Sequence, residues 1–448
     1  MSTSIVMAAA APDIDSGDTA WMLASAALVL LMTPGLAFFY GGMVRVKSVL
    51  NMIMMSFACI GIVSILWVLF GYSLAFKGTN PFIGNFSAVG LNGTLDSVSG
   101  TMPELVFSAF QLMFAIITPA LISGAIADRA KFTGWIAFVT LWVTIVYFPV
   151  AHGVFYFNGG DGGWIADKLQ AFDFAGGTAV HINAGAAGLA CAIVLGKRRG
   201  WPKEPMRPHN LPIVLLGAGL LWFGWFGFNA GSAVAANGLA GIAFMNTQVA
   251  TAAAAMAWIA TEKFRDGKPT TLGVASGAVA GLVAITPACG SVTPMGAIAI
   301  GLIAGCLCAL AVGLKFRFGF DDSLDVVGVH LVGGLAGTLL IGFFATTDVA
   351  TANGLFYGGG LTQLGKQAVA AGAVLAYSFI LSYLLAKLVD KTIGFRIPEE
   401  DEVNGIDSAE HAETGYDFSS TFGGMFGGAG GTASTSVPAP AEQRSVKA

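Results

Sequence analysis

Charged residues are scarce in this sequence. Asp, Glu, Lys and Arg together make up 11% of its 448 residues, whereas hydrophobic residues make up 55%. Because an ordinary soluble domain has about 25% charged residues, this chain cannot cover itself with a water-exposed surface. The composition therefore argues against a soluble protein and indicates a single domain built within a membrane.

The sequence also has too few cysteines and basic clusters for a disulfide-stabilised secreted protein or a nucleic-acid-binding protein. The five cysteines lie within or beside apolar stretches without paired spacing, so we interpret them as small packing residues rather than disulfide partners. The net charge of −4, with no basic run among aromatics, gives no indication of nucleic-acid binding. No Lys or Arg precedes the early alanine run, which argues against a cleaved signal peptide, and we interpret residues 1–19 as an extracellular arm.

Long apolar runs are what the sequence has instead. A window of about nineteen residues predicts an all-α integral membrane protein with eleven transmembrane helices in residues 20–390. Gly and Pro occur inside many of the runs, as membrane bundles tolerate. The predicted segments lie near 20–43, 50–76, 103–127, 132–151, 178–196, 211–235, 241–262, 271–288, 293–315, 328–347 and 365–390.

The distribution of basic residues predicts the orientation. The loops after the odd-numbered segments hold fourteen Lys and Arg residues, and the alternate loops hold only Lys77, Lys168 and Lys366. The positive-inside rule therefore predicts a plasma-membrane protein with its N-terminus outside and its C-terminus in the cytoplasm.

The C-terminal segment, residues 391–448, is polar and differs from the rest of the chain. It is acidic at 399–402 and rich in Gly, Ser and Ala from Gly423 onward, so we predict disorder after about residue 423. The stretch 391–418 is mixed enough in charge and hydrophobicity to dock on the protein, and we interpret it as a regulatory segment.

A histidine motif occurs twice, 149 residues apart. The pattern Val-His-x-x-x-Gly-x-Ala-Gly contains His181 at its first occurrence and His330 at its second. In each, the His and the two Gly share one helix face at i, i+4 and i+7. The two helices enter from opposite sides by the segment count, which indicates inverted repeats, about 20–200 and 211–347, before a final helix at 365–390.

This geometry permits His181 and His330 to meet at the membrane midplane. A purely structural role, in which each histidine bonds a neighbouring helix, is the alternative, but repetition on a glycine face favours function. We expect no metal, because no intramembrane Cys or carboxylate is placed to complete a ligand set. Asp173 and Asp325 precede the two histidines, and each is expected to cap its helix; direct contact with a cation is an equal alternative for Asp173.

Five ordered motifs resemble the ammonium transporter (Amt) family of bacterial type. They are Thr-Pro-Gly-Leu-Ala-Phe-Phe-Tyr-Gly-Gly, Asp-Phe-Ala-Gly-Gly-Thr-Ala-Val-His, Trp-Phe-Gly-Phe-Asn-Ala-Gly-Ser, Ile-Thr-Pro-Ala-Cys-Gly and Asp-Val-Val-Gly-Val-His, starting at Thr33, Asp173, Trp225, Ile285 and Asp325. The resemblance covers residues 33 to about 418. It implies a homotrimer with one pore per subunit that carries ammonium and methylammonium, and a trimeric PII signal protein as a cytoplasmic partner.

The resemblance also implies roles for individual residues. His181 and His330 become the hydrogen-bonded pore pair, Asp173 the indispensable acidic residue, and Tyr40 and Trp225 pore-side residues. The implied gate is Phe114 with Phe228, and the implied ammonium-recruiting site contains Phe110, Ser232 and an aromatic residue. Many relatives have a tryptophan shortly after an Ala-His pair, but this chain has Phe155 there, with Trp164 as a rival.

The sequence therefore predicts a channel or transporter that deprotonates ammonium at its outer mouth and conducts ammonia. An ammonium sensor that signals through its tail is the alternative. A secondary transporter for a larger solute would need a roomy polar midplane and is disfavoured. We expect no enzyme and no cofactor, because no phosphate-binding loop, nucleophile elbow or metalloprotease helix is present.

Overall fold

The protein is described here by a computed structural model covering residues 13–416. Within that range ten helices have the length and apolar composition to cross a membrane. Together with one shorter apolar helix, they are α1 Ser16–Met43, α2 Val46–Phe76, α3 Glu104–Ile126, α4 Phe132–Phe155, α5 Gly177–Leu195, α6 Leu211–Gly231, α7 Gly238–Asp266, α8 Thr271–Ile285, α9 Pro294–Phe318, α10 Val327–Phe344 and α11 Thr362–Thr392.

The predicted all-α membrane fold is confirmed, and a helix occupies each predicted segment. The eighth, α8, has only 15 residues, whereas crossing a bilayer takes about 20, so the count of eleven spans stays a prediction. α1 begins at Ser16, earlier than expected. Most of the N-terminal arm and the disorder predicted after 423 lie outside the described residues.

Short elements connect and follow the long helices. A two-stranded hairpin, β1 Val98–Ser99 and β2 Met102–Pro103, precedes α3. Beyond α11, two short helices form the tail, α12 Glu399–Asn404 and α13 Ile406–His411.

Glycines of the repeated motif allow α5 and α10 to approach each other closely. A Cβ atom built at Gly185 would lie 2.5 Å from the backbone nitrogen of Leu331, and one at Gly334 would lie 3.0 Å from the Cβ of His181. A side chain at either position would push the two helices apart. The glycine pattern shared by the repeats is therefore explained by the contact between them.

A buried arginine ties together three of the basic loops. The guanidinium of Arg198 donates to both carboxylate oxygens of Asp321, at 2.8 and 2.9 Å, and to Asp128 at 3.2 Å. Such charge-assisted, multidentate bonds are specific in geometry. They hold the loops after α3, α5 and α9 together at one end of the bundle.

The tail docks on the same end of the bundle through its carboxylates. Asp407 accepts hydrogen bonds from the backbone N–H groups of Leu50 and Asn51, at 3.0 and 2.8 Å, at the start of α2. Glu402, fully buried, accepts from the Arg199 backbone and from the Arg396 side chain, each at 2.7 Å. The tail segment 399–411 is thus part of the folded structure rather than a free extension.

Candidate transport pore

The two repeated histidines meet in the interior of the protein. Their Nδ1 atoms are 3.3 Å apart and their ring planes are 24° from parallel, with ring centroids 5.4 Å apart. Both residues are at most 3% exposed. Because one Nδ1 must donate and the other accept, two neutral rings sharing this bond must be in opposite tautomers.

Both histidines lie in a wide turn at the start of their helices. Gly177–Ile182 and Val327–Leu331 are π-helical, a geometry that is rare in proteins and frequent at functional sites. The α-helical spacing assumed from the sequence is therefore not regular at His181 and His330.

Asp173 caps the wide turn of α5. One carboxylate oxygen accepts from the N–H groups of Gly176 and Gly177, at 2.8 and 2.6 Å, and the other accepts from the Thr178 N–H, at 2.7 Å, and from its hydroxyl. Burial raises the pKa of Asp173, and these bonds, which favour the charged form, offset part of that rise. Both carboxylate oxygens of Asp173 are thus hydrogen-bonded to the start of α5.

Asp322, and not Asp325, caps the corresponding turn of α10. The carboxylate of Asp322 accepts from the N–H groups of Val326 and Val327, at 3.1 and 2.7 Å. Asp325 instead forms an ion pair with Lys315 at 2.7 Å. The prediction of a cap at Asp325 is wrong, because Asp325 directly precedes Val326, too close to bond its N–H group or that of Val327, and its carboxylate pairs with Lys315 instead.

Two phenylalanines separate the histidines from a large cavity. The rings of Phe114 and Phe228 lie 4.3 Å apart at 39°, and both side chains are buried. Phe228 in turn lies nearly parallel to His181, with ring centroids 6.2 Å apart. The two predicted gate residues are thus in contact with each other, and one of them lies next to the histidine pair.

A very small cavity, which we call the histidine cavity, lies beside His181 and His330. Its volume is about 10 Å³, which is room for about one water molecule. Trp225 and Phe228 also line it, and the rest of its described lining is apolar, with no Asp, Glu, Lys or Arg side chain. The space beside the histidines is therefore very small and offers few polar partners.

A cavity of about 1300 Å³, which we call the vestibule, lies on the other side of the phenylalanine pair. Phe114, Phe155, Asp173 and Ser232 line it. The Ser232 hydroxyl donates to the Phe228 carbonyl at 2.8 Å, which leaves its oxygen lone pairs free to accept a bond from a solute. Four of the predicted site residues thus face one space.

Two predicted recruiting residues do not line the vestibule. Phe110 is fully buried behind Phe114, with ring centroids 4.9 Å apart. Trp164 packs against Gly153 and Phe82. Phe155, whose ring centroid lies 6.2 Å from that of Phe114, is the better candidate for the aromatic recruiting residue.

Sequence reasoning missed the residues of α3 that do line the vestibule. These are Glu104, Phe107 and Gln111, which precede Phe114 by ten, seven and three residues and so share its helix face. This spacing could have identified them from the sequence. The motif-based assignment selected Phe110, which lies on the neighbouring, buried face.

Hydrogen bonds fix the ring of Trp225 against the histidine pair. Its indole N–H donates to the Thr286 hydroxyl at 2.8 Å, and that hydroxyl lies 3.2 Å from the Asn229 side-chain oxygen. The Trp225 ring lies 22° from the plane of His181, with centroids 5.5 Å apart. Tyr40, also predicted to be pore-side, is buried and donates to the carbonyl oxygen of Leu121, whose side chain lines the histidine cavity.

These features define a multi-pass membrane protein with a very small, largely apolar cavity at its two repeated histidines. That is the architecture of a channel or transporter for a very small solute.

Comparison with known proteins identifies the family. A model of the Ammonium Transporter Family matches residues 20–416. The chain is 61% identical over 440 residues to an ammonium transporter of Mycobacterium tuberculosis, covering 92% of each chain, and 49% identical to an ammonium transporter of Bacillus subtilis, covering 89% and 98%. The chain therefore belongs to the ammonium transporter family, which supports ammonium transport as its function.

Solved structures show the same fold. The crystal structure of Candida albicans Mep2 matches with a TM-score of 0.81 and 32% identity, covering 87% of this chain and 88% of that one. A protein described as a sensor Amt protein matches with a TM-score of 0.82 and 30% identity, covering 88% and 98%.

Proposed function

We propose that the protein binds ammonium in the vestibule, where ammonium transfers a proton to water, and conducts the resulting ammonia past His181 and His330. The observation that carries this proposal is the separation of the two spaces by Phe114 and Phe228. A roomy vestibule that contains carboxylates lies on one side, and a histidine cavity with room for about one water lies on the other.

The histidine cavity favours a neutral solute over any cation. Placing an isolated ion in a medium of low dielectric constant costs tens of kcal/mol. Deprotonating ammonium near neutral pH costs about 1.4 kcal/mol for each pH unit below its pKa, so losing the proton is the cheaper route. Potassium has no proton to lose, and selectivity against it follows.

The vestibule offers the contacts that would recruit ammonium. The ring faces of Phe114 and Phe155 can hold a cation, an interaction of about 1–2 kcal/mol when partly desolvated. The free lone pairs of Ser232 can accept one of its N–H bonds. The negative charge of Asp173 favours a cation in the same space without direct contact, because its oxygens are used by α5.

The histidine pair suits ammonia because each ring nitrogen is either a donor or an acceptor. Ammonia can donate to one and accept from the other. The shared Nδ1 bond also provides a path for a proton between the rings, and a proton that follows this path would make transport electrogenic.

The orientation and the partners are part of the proposal. The positive-inside rule supports an orientation with the vestibule outside, and with the tail and the basic loops in the cytoplasm. The family resemblance supports a homotrimer and a PII signal protein at the cytoplasmic end.

A sensor that signals ammonium supply is the second candidate function. It is favoured by the tail, which is bonded to the start of α2 through Asp407, and by the similarity to a sensor Amt protein. A protein that is only a sensor would give no methylammonium uptake above that of empty liposomes.

The proposal is tested by solid-supported membrane electrophysiology on proteoliposomes. We expect ammonium currents from the wild type, no potassium currents, and loss of this selectivity or of transport in His181→Ala and His330→Ala. His209→Ala is the matched control, because His209 lies outside the pore and bonds the Val44 carbonyl. If both pore variants kept wild-type rates and selectivity, the mechanism would be wrong.

A further inference from the structure

A lysine ammonium group is bound in the wall of the vestibule. The Nζ atom of Lys77 lies 2.6 Å from a carboxylate oxygen of Glu104 and 5.7 Å from the ring centroid of Tyr72. The Glu104 side chain is 8% exposed and that of Lys77 is 30% exposed. All three residues line the vestibule.

The carboxylate is held in place by other groups than the lysine. The Tyr72 hydroxyl donates to the same oxygen of Glu104, at 2.5 Å, and the Ser97 hydroxyl donates to the other oxygen. The first backbone N–H of α3, from Glu104 itself, donates to the Ser97 carbonyl at 2.9 Å. Glu104 would therefore keep its position if the lysine were removed.

Aromatic rings complete the surroundings of this carboxylate. Phe76 stacks on Tyr72 with ring centroids 5.7 Å apart, and Phe107 and Tyr156 contact Phe76 edge to face. A fixed carboxylate, a hydroxyl and aromatic faces are the groups that bind an ammonium ion. The group that occupies them is itself an alkylammonium.

We propose that Glu104 and Tyr72, backed by Phe76, form a second cation-binding site of the vestibule, which the side chain of Lys77 occupies as a tethered competitor of external ammonium. The site takes small monovalent ammonium ions, including methylammonium. This inference rests on the proposed function in one respect, since it assumes that ammonium enters through the vestibule.

The tether determines when external ammonium can compete. A group on a short flexible linker has an effective concentration in the millimolar range. Ammonium at micromolar concentration therefore leaves Lys77 in place, and the site fills only at high external concentration. Removing the lysine side-chain charge frees the site at low concentration and places an uncompensated carboxylate at the mouth.

The test is Lys77→Met, which keeps an apolar stem of similar length. We expect the half-saturating concentration of methylammonium currents to fall about fivefold at low ionic strength, in line with partly exposed ion pairs, and the shift to shrink at high salt. The matched control is Lys366→Met. Lys366 also lines the vestibule, but its partner is the Gln170 side-chain oxygen at 3.4 Å rather than a carboxylate.

The double variant Lys77→Met/Glu104→Gln identifies the carboxylate as the ligand. We expect it to lose the gain of Lys77→Met while keeping a monodisperse elution profile. An unchanged half-saturation in Lys77→Met, an equal shift in Lys366→Met, or a gain that survives Glu104→Gln would each overturn the proposal.

A binding measurement separates this proposal from the transport mechanism. Calorimetric titration of the solubilised protein with methylammonium chloride should show tighter binding to Lys77→Met than to the wild type, even if no flux were found. Absent flux in the wild type would contradict the proposed function. Equal binding to both proteins would contradict the second site.

Discussion

Replacing Asp173 by alanine should destabilise the protein by about 3 kcal/mol. The change removes the acceptor for three backbone N–H groups bonded at 2.6–2.8 Å, from Gly176, Gly177 and Thr178. A buried donor left without a partner costs about 1–3 kcal/mol. We take the low end of that range for each donor, because Asp173 lines the vestibule and water can reach part of the turn.

The measurement is thermal unfolding in detergent, followed by intrinsic tryptophan fluorescence. Asp161→Ala is the control, since that carboxylate is exposed and 3.8 Å from the Lys168 amine, and exposed substitutions usually change stability by less than about 0.5 kcal/mol. If Asp173→Ala unfolded at the same temperature as Asp161→Ala, the capping role would be refuted.

Asp173→Asn separates the cap from the charge. Asparagine keeps one acceptor oxygen, so its stability should fall between those of the wild type and the alanine variant. A variant as stable as the wild type but without transport would show that the charge acts on the cation, and that the cap is not the main role of Asp173.

Three further substitutions test the rest of the pore. Gly337→Ala should prevent close packing of α10 on α8, because its Cβ would lie 2.0 Å from the Ala284 carbonyl oxygen, and should lower the yield of folded protein by gel filtration. Thr286→Val removes the hydrogen bond that orients Trp225, so the maximal methylammonium current should fall while half-saturation stays nearly unchanged. Burial and a neighbouring carboxylate raise the pKa of Asp322 to about 6, so the folded protein binds this proton more tightly than the unfolded chain does. The contribution of Asp322 to the free energy of unfolding therefore decreases as the pH rises from about 4 to about 6, and does not change at higher pH. The unfolding temperature, measured from pH 4.5 to 7.5, should show this dependence in the wild type and lose it in Asp322→Asn.

The membrane fold could be predicted because composition and apolar run length depend on the solvent and not on tertiary contacts. The meeting of His181 and His330 could be predicted because the same motif occurs on two helices that the segment count predicts to run in opposite directions, which indicates a pair of related halves with a shared site between them. The vestibule wall could not be predicted in the same way. Phe110 and Phe107 are both phenylalanines of α3, and only the packing of that helix decides which of them is buried behind Phe114.

The repeat contains a capping acid as well as a histidine. A cap must stand several residues before the N–H groups that it accepts, and Asp173 precedes its partners by three to five residues. Asp322 precedes its partners by four and five, whereas Asp325 is their immediate neighbour, and its carboxylate pairs with Lys315 instead. Asp322 also follows Asp173 by the same 149 residues that separate the histidines. In each case a carboxylate at the start of the helix therefore caps the turn that contains the histidine. Loss of Asp173 should thus displace the imidazole of His181 more than that of His330, and loss of Asp322 should displace that of His330 more.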